Sequence, residues 1–218
     1  MVKLNIAIPT CKTEAELIPL LREIRETAST NIHELRLIHT CYPGSAAKNR
    51  NIALDKTGEF EPIIMLDDDI TGFRRGWDEE LIRPLFNNGL GTHSNVALVS
   101  ARLMNVKGMP AHMMGENYDM TKPIVEVDVK RLPTACIAFL KHPLIRFDEQ
   151  FIGSGFEDDD FCKQLQNLYP DGRFVINNGV VVVHKNEMKN QKTGFWYYNK
   201  AYYLRKWTDE TSRWDGDR

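Results

Sequence analysis

The chain has 218 residues, with 28 Lys and Arg against 30 Asp and Glu, and a net charge of -2. That length supports one domain with a substantial core, or one domain plus a small appendage. The near-neutral balance excludes a global electrostatic drive toward nucleic acid, and no apolar run approaches the roughly 20 residues that span a bilayer. Cys11, Cys41, Cys136 and Cys162 are widely spaced and form no CxxC pair or zinc pattern, so they read as buried free thiols of a reducing compartment. The first residues lack the length and cleavage site of a signal peptide, so a cytoplasmic location is expected, with any membrane contact peripheral.

In chain order, Val2 to Ile8 alternates as a strand that Pro9 stops. Thr13 and Glu16 have the spacing of a capping box, and Leu17, Leu20, Leu21 and Ile24 follow at helical intervals. Leu35 to His39 is a second strand, Tyr42-Pro43-Gly44 a turn, and Ser45 the cap of a helix through Leu54. The apolar run Pro62 to Leu66 is a third, buried strand ending in Asp67-Asp68-Asp69. This β-α-β-α-β order predicts an α/β fold with a mostly parallel sheet flanked by helices and right-handed crossovers. Further elements are expected at Trp77 to Phe86 (helix), Asn95 to Ser100 (strand), Thr134 to Leu140 (strand) and Arg173 to Val183 (buried strand). Met104 to Lys122 reads as a long loop, and Ser154 with Glu157 as a second capping box opening a helix through Leu168.

The acidic triplet demands compensation. Three carboxylates at a strand exit repel one another unless a cation or hydrogen bonds offset the cost. Ligands of open α/β sheets collect at the carboxyl ends of strands, and a DxD step there suits a hard divalent cation with positions left for phosphate oxygens. A solvated acidic turn is the bland alternative. An EF-hand loop from Asp67 to Asp78 is a sharper one, opposed by the strand that leads in and by Arg74 at the eighth loop position. The second cluster, Glu157-Asp158-Asp159-Asp160 after Gly153-Ser154-Gly155, exceeds what helix capping and the helix dipole need. Carboxylates at a helix N-terminus stay ionised, as a general base must near neutral pH. His184 ends a strand-like run, and one imidazole with DxD carboxylates makes a Mn²⁺ or Mg²⁺ site. Arg50 has the chemistry for bidentate contact with phosphate or a base edge, beside the alternative of a surface-helix arginine.

Taken in order, these segments resemble a GT-A fold glycosyltransferase of the family 2 type. The resemblance runs through Ile8-Pro9-Thr10, Ala47-Lys48-Asn49-Arg50-Asn51-Ile52-Ala53, Met65-Leu66-Asp67-Asp68-Asp69, Pro133-Thr134-Ala135-Cys136 and Phe147-Asp148-Glu149-Gln150-Phe151 to His184. Gly155-Phe156-Glu157-Asp158-Asp159-Asp160 is also similar to the Trp-Gly-Gly-Glu-Asp-Asp-Asp motif of β-1,4-galactosyltransferases. It implies a single Rossmann-like nucleotide-diphospho-sugar transferase domain over residues 1–184 and a basic, aromatic extension over 185–218. Roles follow by matching position. Asp158 would be the catalytic base, and Glu157, Gly155 and Thr134 would bind the acceptor. Pro9, Thr10, Arg50, Asp67 and Asp68 would bind the donor, with Asp67, Asp69 and His184 on Mn²⁺ or Mg²⁺.

The implied reaction is inverting transfer from a nucleoside-diphosphate sugar, UDP-sugar favoured, to an acceptor hydroxyl. The region after the second strand, His39-Thr40-Cys41-Tyr42, carries no carboxylate to read the base, which leaves GDP and dTDP open. The tail from Lys185 to Trp207 holds five lysines and one arginine against Glu187, interleaved with Phe195, Trp196, Tyr197, Tyr198, Tyr202, Tyr203 and Trp207. It reads as a helix packed on the domain, a lid over the donor diphosphate, or a stacking surface for nucleic acid. The last would fit a hydroxymethylated DNA base as acceptor, beside polysaccharide, glycolipid or protein. Two other classes compete. A nucleotidyltransferase needs a glycine-rich loop where Pro9 to Glu14 has no glycine, and a non-catalytic metal- or sugar-binding module would bind without turnover.

Overall fold

The computed structural model describes residues 2–29, 33–86, 93–111, 119–127, 131–185 and 194–207. Residues 112–118 of the expected loop, and 186–193 and 208–218 of the tail, lie outside them. The elements are β1 (Val2–Pro9), α1 (Glu14–Thr27), β2 (His33–Thr40), α2 (Ala46–Asp55), β3 (Pro62–Leu66), β4 (Ile70–Thr71), α3 (Trp77–Ile82), β5 (Val96–Met104), β6 (Ile124–Glu126), β7 (Cys136–Leu140), α4 (Glu157–Leu168), β8 (Arg173–His184) and α5 (Gly194–Trp207).

Local signals explain the first half. Thr13 and Glu16 form the expected capping box, and Leu17, Leu20, Leu21 and Ile24 are the buried stripe of α1. Ser45 caps α2 by accepting from Lys48 N. The helix expected from Trp77 ends at Ile82, and Arg83–Leu85 continues as a 3-10 turn around Pro84. Proline there withholds the N–H that an α-turn needs.

The sheet order is β2-β1-β3-β7-β5-β8-β4, with β6 also on β8. β1 pairs parallel with β2 and β3, and β5 pairs parallel with β8. β7 lies antiparallel between β3 and β5, so β1, β2, β3, β5 and β8 all run the same way. Among the described residues no helix separates β5 from β7. Without a crossover helix the chain re-enters the sheet antiparallel, which needs none. β1 and β3 are buried on both faces, which a central strand covered by helices requires. α2 packs on β1 and β2, α3 on β8 and β5, and α4 reaches the core through Phe161, 5.0 Å from Phe139 and stacked on Phe147 at 4.3 Å.

This topology positions the site. β1, β3 and β8 deliver Thr10, Asp67 and His184 to one edge, while β7 starts there beside Thr134 and Ala135. α4 joins the base of β8 through only four residues, 169–172, so its N-terminus returns toward the edge where β8 ends.

Two expectations need correction. Ser154 does not cap α4: the residue before the helix is Phe156, with φ of 69° and no side-chain cap bond. The turn is closed by Glu157, whose Oε2 accepts from Gly155 N. Of the four free cysteines only Cys136 and Cys162 are buried, because Cys11 and Cys41 follow β1 and β2 out of the sheet. The EF-hand alternative also falls. A strand precedes Asp67, and Asp78 is fully buried, where its Oδ1 accepts from Ser29 N at 2.8 Å.

Candidate functional site

β3 delivers Asp67 to the edge, where its N–H donates to Ala135 O at 2.8 Å. β4 pairs Ile70 with His184, and Lys185 N donates to Asp69 O at 3.1 Å. The acidic turn is thereby laced to the end of β8. One ligand atom each from Asp67, Asp69 and His184 lies within 4.8 Å of the others, and Asp69 Oδ1 is 3.2 Å from His184 Nε2. Two ligands about 2.1 Å from a hard divalent ion sit about 3 Å apart in cis and about 4.2 Å apart in trans. Two carboxylates and an imidazole at these separations therefore fit such a cation by both spacing and chemistry.

Asp68 turns the other way. It accepts from the Thr10 hydroxyl and pairs with Lys12 Nζ at 2.9 Å, while the same ammonium donates to Asp68 O at 2.7 Å. Thr10 is itself held by its N–H to Thr40 O and by Asn49 Nδ2 donating to its carbonyl. Pro9 ends β1 opposite Thr40. Lys12 is a site residue that sequence reasoning missed, because nothing in Pro9 to Glu14 ties that lysine to a carboxylate 56 residues away.

Arg50 joins the two acidic clusters. Only 6% exposed, it donates to Glu157 Oε1 at 2.8 Å and to Asp67 Oδ1 at 3.2 Å. Burial, the largest influence on Arg50, opposes its charge, but Asp67, Glu157 and Asp158 outweigh it and raise its pKa. Burial likewise pushes Asp67 upward, against the pull of Arg50 and His184. Glu157 is engaged on both oxygens, by Arg50 and Gly155 N, and Asp158 is the next carboxylate along the helix. Asp158 accepts from Asp159 N at 3.0 Å through Oδ1. Against the expectation that the helix N-terminus keeps this acid readily ionised, burial first, then repulsion by Asp159 and Glu157, pushes its carboxyl well above the usual range, although Arg50 opposes the shift. Asp159 is pushed up to about 6, chiefly by burial, with Arg131 3.3 Å away opposing. Asp160 belongs to the fold instead. It is fully buried and accepts from Trp207 Nε1 and Gln164 Nε2, with Lys206 Nζ at 2.7 Å.

Removing one partner of a buried ion-pair set costs about 3–5 kcal/mol, because the remaining charge is left uncompensated. Arg50→Met is expected to lose stability of that order at pH 7 in urea unfolding. The deficit should narrow as pH falls, since Asp67 already holds its proton more tightly folded than unfolded and would do so more strongly without Arg50. A deficit independent of pH would show that lost packing, not charge, is responsible.

No family model and no curated protein matches this sequence. Solved structures do. GalNAc-T7 with UDP, GalNAc and Mn²⁺ superposes with a TM-score of 0.68 over 96% of this chain at 9% identity. TarS of S. aureus with UDP-GlcNAc gives 0.62 over 97% at 14% identity, and TarS in another structure 0.58 over 97%. The fold is GT-A. The chain spans about half of GalNAc-T7 (49%) and 44% of the longer TarS chain. In GT-A terms, the sequence placed Asp67, Asp69 and His184 together, and the structure groups them. The sequence also put Arg50 with the donor and Glu157 with the acceptor; the structure pairs these two directly. Pro9, Thr10 and Asp68 gather at the ends of β1 and β3. Thr134, 3% exposed, precedes the Ala135 carbonyl that binds Asp67.

Proposed function

We propose that this chain is a metal-dependent, inverting glycosyltransferase that moves a sugar from a nucleoside-diphosphate donor, UDP-sugar favoured, to an acceptor hydroxyl. The observation that carries this reading is the Asp67–Asp69–His184 trio at the carboxyl edge of a GT-A sheet, bridged by buried Arg50 to the helix that starts Glu157-Asp158. The fold shared with GalNAc-T7 and TarS, whose structures hold UDP and UDP-GlcNAc, supports this reading.

Asp67, Asp69 and His184 would hold a divalent cation, Mn²⁺ or Mg²⁺, which when bound would neutralise charge growing on the departing diphosphate, an effect worth several kcal/mol. Pro9 and Thr10 line the nucleotide side. Arg50 orients Asp67 and opposes the burial that raises its pKa, and it fixes Glu157 beside Asp158. Asp158 Oδ2 takes the proton of the acceptor hydroxyl as its oxygen bonds to the anomeric carbon, and the bond from that carbon to the diphosphate oxygen breaks. One base and one displacement from the opposite face invert the anomeric centre. Raised as it is, Asp158 is a stronger base than an ordinary carboxylate, and base catalysis of this kind contributes about 10²- to 10⁴-fold.

The test is a thermal-shift panel of UDP-, GDP- and dTDP-sugars and nucleoside triphosphates, with and without Mn²⁺ or Mg²⁺. A ligand at 100 times its Kd adds about 2.7 kcal/mol of stability by mass action. A UDP-sugar is expected to raise Tm only with metal, and then to yield free UDP on incubation. A shift by triphosphates alone would favour a nucleotidyltransferase, and a metal-dependent shift without turnover a binding module.

A further inference from the structure

The turn that presents Glu157 and Asp158 has an unfavourable backbone. Gly153, Gly155 and Phe156 all have positive φ, at 66°, 109° and 69°. Glycine enters this region freely, but phenylalanine does so only where its surroundings over-determine it. The surroundings that do so come from α5. Asn199 is the buried residue of that helix, 0% exposed. Its Oδ1 accepts from Ile152 N at 2.9 Å, and its Nδ2 donates to Ile152 O and Gly155 O, each at 2.9 Å. One planar amide thus satisfies an N–H and two carbonyls on the same turn, a set that only Asn or Gln chemistry supplies. Around it, the Phe156 ring packs 5.3 Å from Trp196 and 5.7 Å from Tyr203.

α5 has a second anchor away from this turn. Tyr202 and Lys206 bond Asp148, and Lys206 and Trp207 bond Asp160. The helix is therefore held in place without Asn199, and the amide's three bonds all fall on the segment leading to the acidic cluster.

We propose that Asn199 is a positioning residue for sugar transfer. It holds the left-handed turn Gly153–Phe156 and so aims Asp158 at the acceptor, touching no substrate itself. This rests on the transferase reading above.

The test compares wild type, Asn199→Ala and Trp207→Phe, the last loosening α5 only at its distal anchor. Turnover is read as UDP release from UDP-glucose, UDP-galactose, UDP-GlcNAc and UDP-GalNAc with Mn²⁺ and water as acceptor. Binding is read as calorimetric affinity for UDP with Mn²⁺. A misplacement of about 1 Å costs up to about 10²-fold in rate, so Asn199→Ala is expected to lower kcat about 10- to 100-fold. Donor KM and UDP affinity should stay within about twofold, because the Asn199 amide bonds Ile152 and Gly155 and none of Pro9, Thr10, Asp67, Asp69 or His184. Amide hydrogen exchange at residues 152–156 should accelerate in Asn199→Ala alone, while Trp207→Phe lowers Tm yet keeps kcat and that exchange pattern. Equal kcat losses in the two variants, or unchanged exchange in Asn199→Ala, overturn the proposal. A wild-type chain that releases UDP from none of the donors overturns the transferase reading, and this proposal with it.

Discussion

Asp158→Asn is expected to lower the transfer rate about 10²- to 10⁴-fold, the contribution typical of a positioned general base, while donor affinity stays at the wild-type value. The substitution is isosteric, and the asparagine Oδ1 can still accept the Asp159 N–H that Asp158 takes at 3.0 Å, so the turn is not disturbed. Asp158 also stands outside the metal trio, so binding of a UDP-sugar with Mn²⁺ should be untouched. On the proposed mechanism, what is lost is the oxygen that receives the proton. A kinetic comparison at saturating donor measures this, and full activity in Asp158→Asn would place the base elsewhere.

The pH dependence follows with a defined sign. Burial and the neighbouring acids Asp159 and Glu157 raise the Asp158 pKa, and Asp159 titrates near 6. Activity carried by ionised Asp158 should therefore rise with pH along a limb displaced above the ordinary carboxylate range of about 4. Stability runs the other way. An acid whose folded pKa is raised favours the folded state below its unfolded pKa, and that contribution disappears as pH rises through the folded value. Without metal, the cluster should cost stability progressively between about pH 4 and the Asp159 value of about 6. Urea unfolding across that window checks the sign.

The second large effect is on the metal. Asp69→Ala and His184→Ala are each expected to abolish the Mn²⁺-dependent part of donor binding and, with it, turnover. Each removes one of the three proposed ligands, and Asp69 and His184 are also each other's neighbours at 3.2 Å. Asp68→Ala should do far less to metal affinity, since Asp68 is committed to Thr10 and Lys12. Titration of Mn²⁺ into the three variants separates these roles. Equal loss in Asp68→Ala and Asp69→Ala would mean the triplet binds as an undifferentiated acidic turn.

How much was legible beforehand divides along the range of the interaction involved. The α1 capping box and buried stripe, the strand leading into Asp67, and a helix running through Leu168 depend on residues three or four apart, or on one short apolar run. These are written locally and were readable. The α4 cap was misread because Ser154 and Glu157 have capping-box spacing, while Gly153 and Gly155 let the chain enter a left-handed turn that puts Phe156 before the helix. Local spacing could not weigh that alternative, since the turn is held by Asn199, 44 residues beyond Gly155.

The sequence by itself determined the α/β alternation, the placement of acidic residues at a strand exit and a helix start, and a histidine at the end of a late strand. Only the tertiary structure decided their division of labour. It turned Asp67 and Asp69 toward His184 and Asp68 toward Lys12, and it used Arg50 as a buried bridge to Asp67, 17 positions away, and Glu157, 107 positions away. It also docked α5 against the turn that leads into α4. The physical reason is common to all of these. A carboxylate's role depends on which cation or amide lies within about 3 Å of it, and that is set by strand order and helix packing across the whole sheet, which no local pattern encodes.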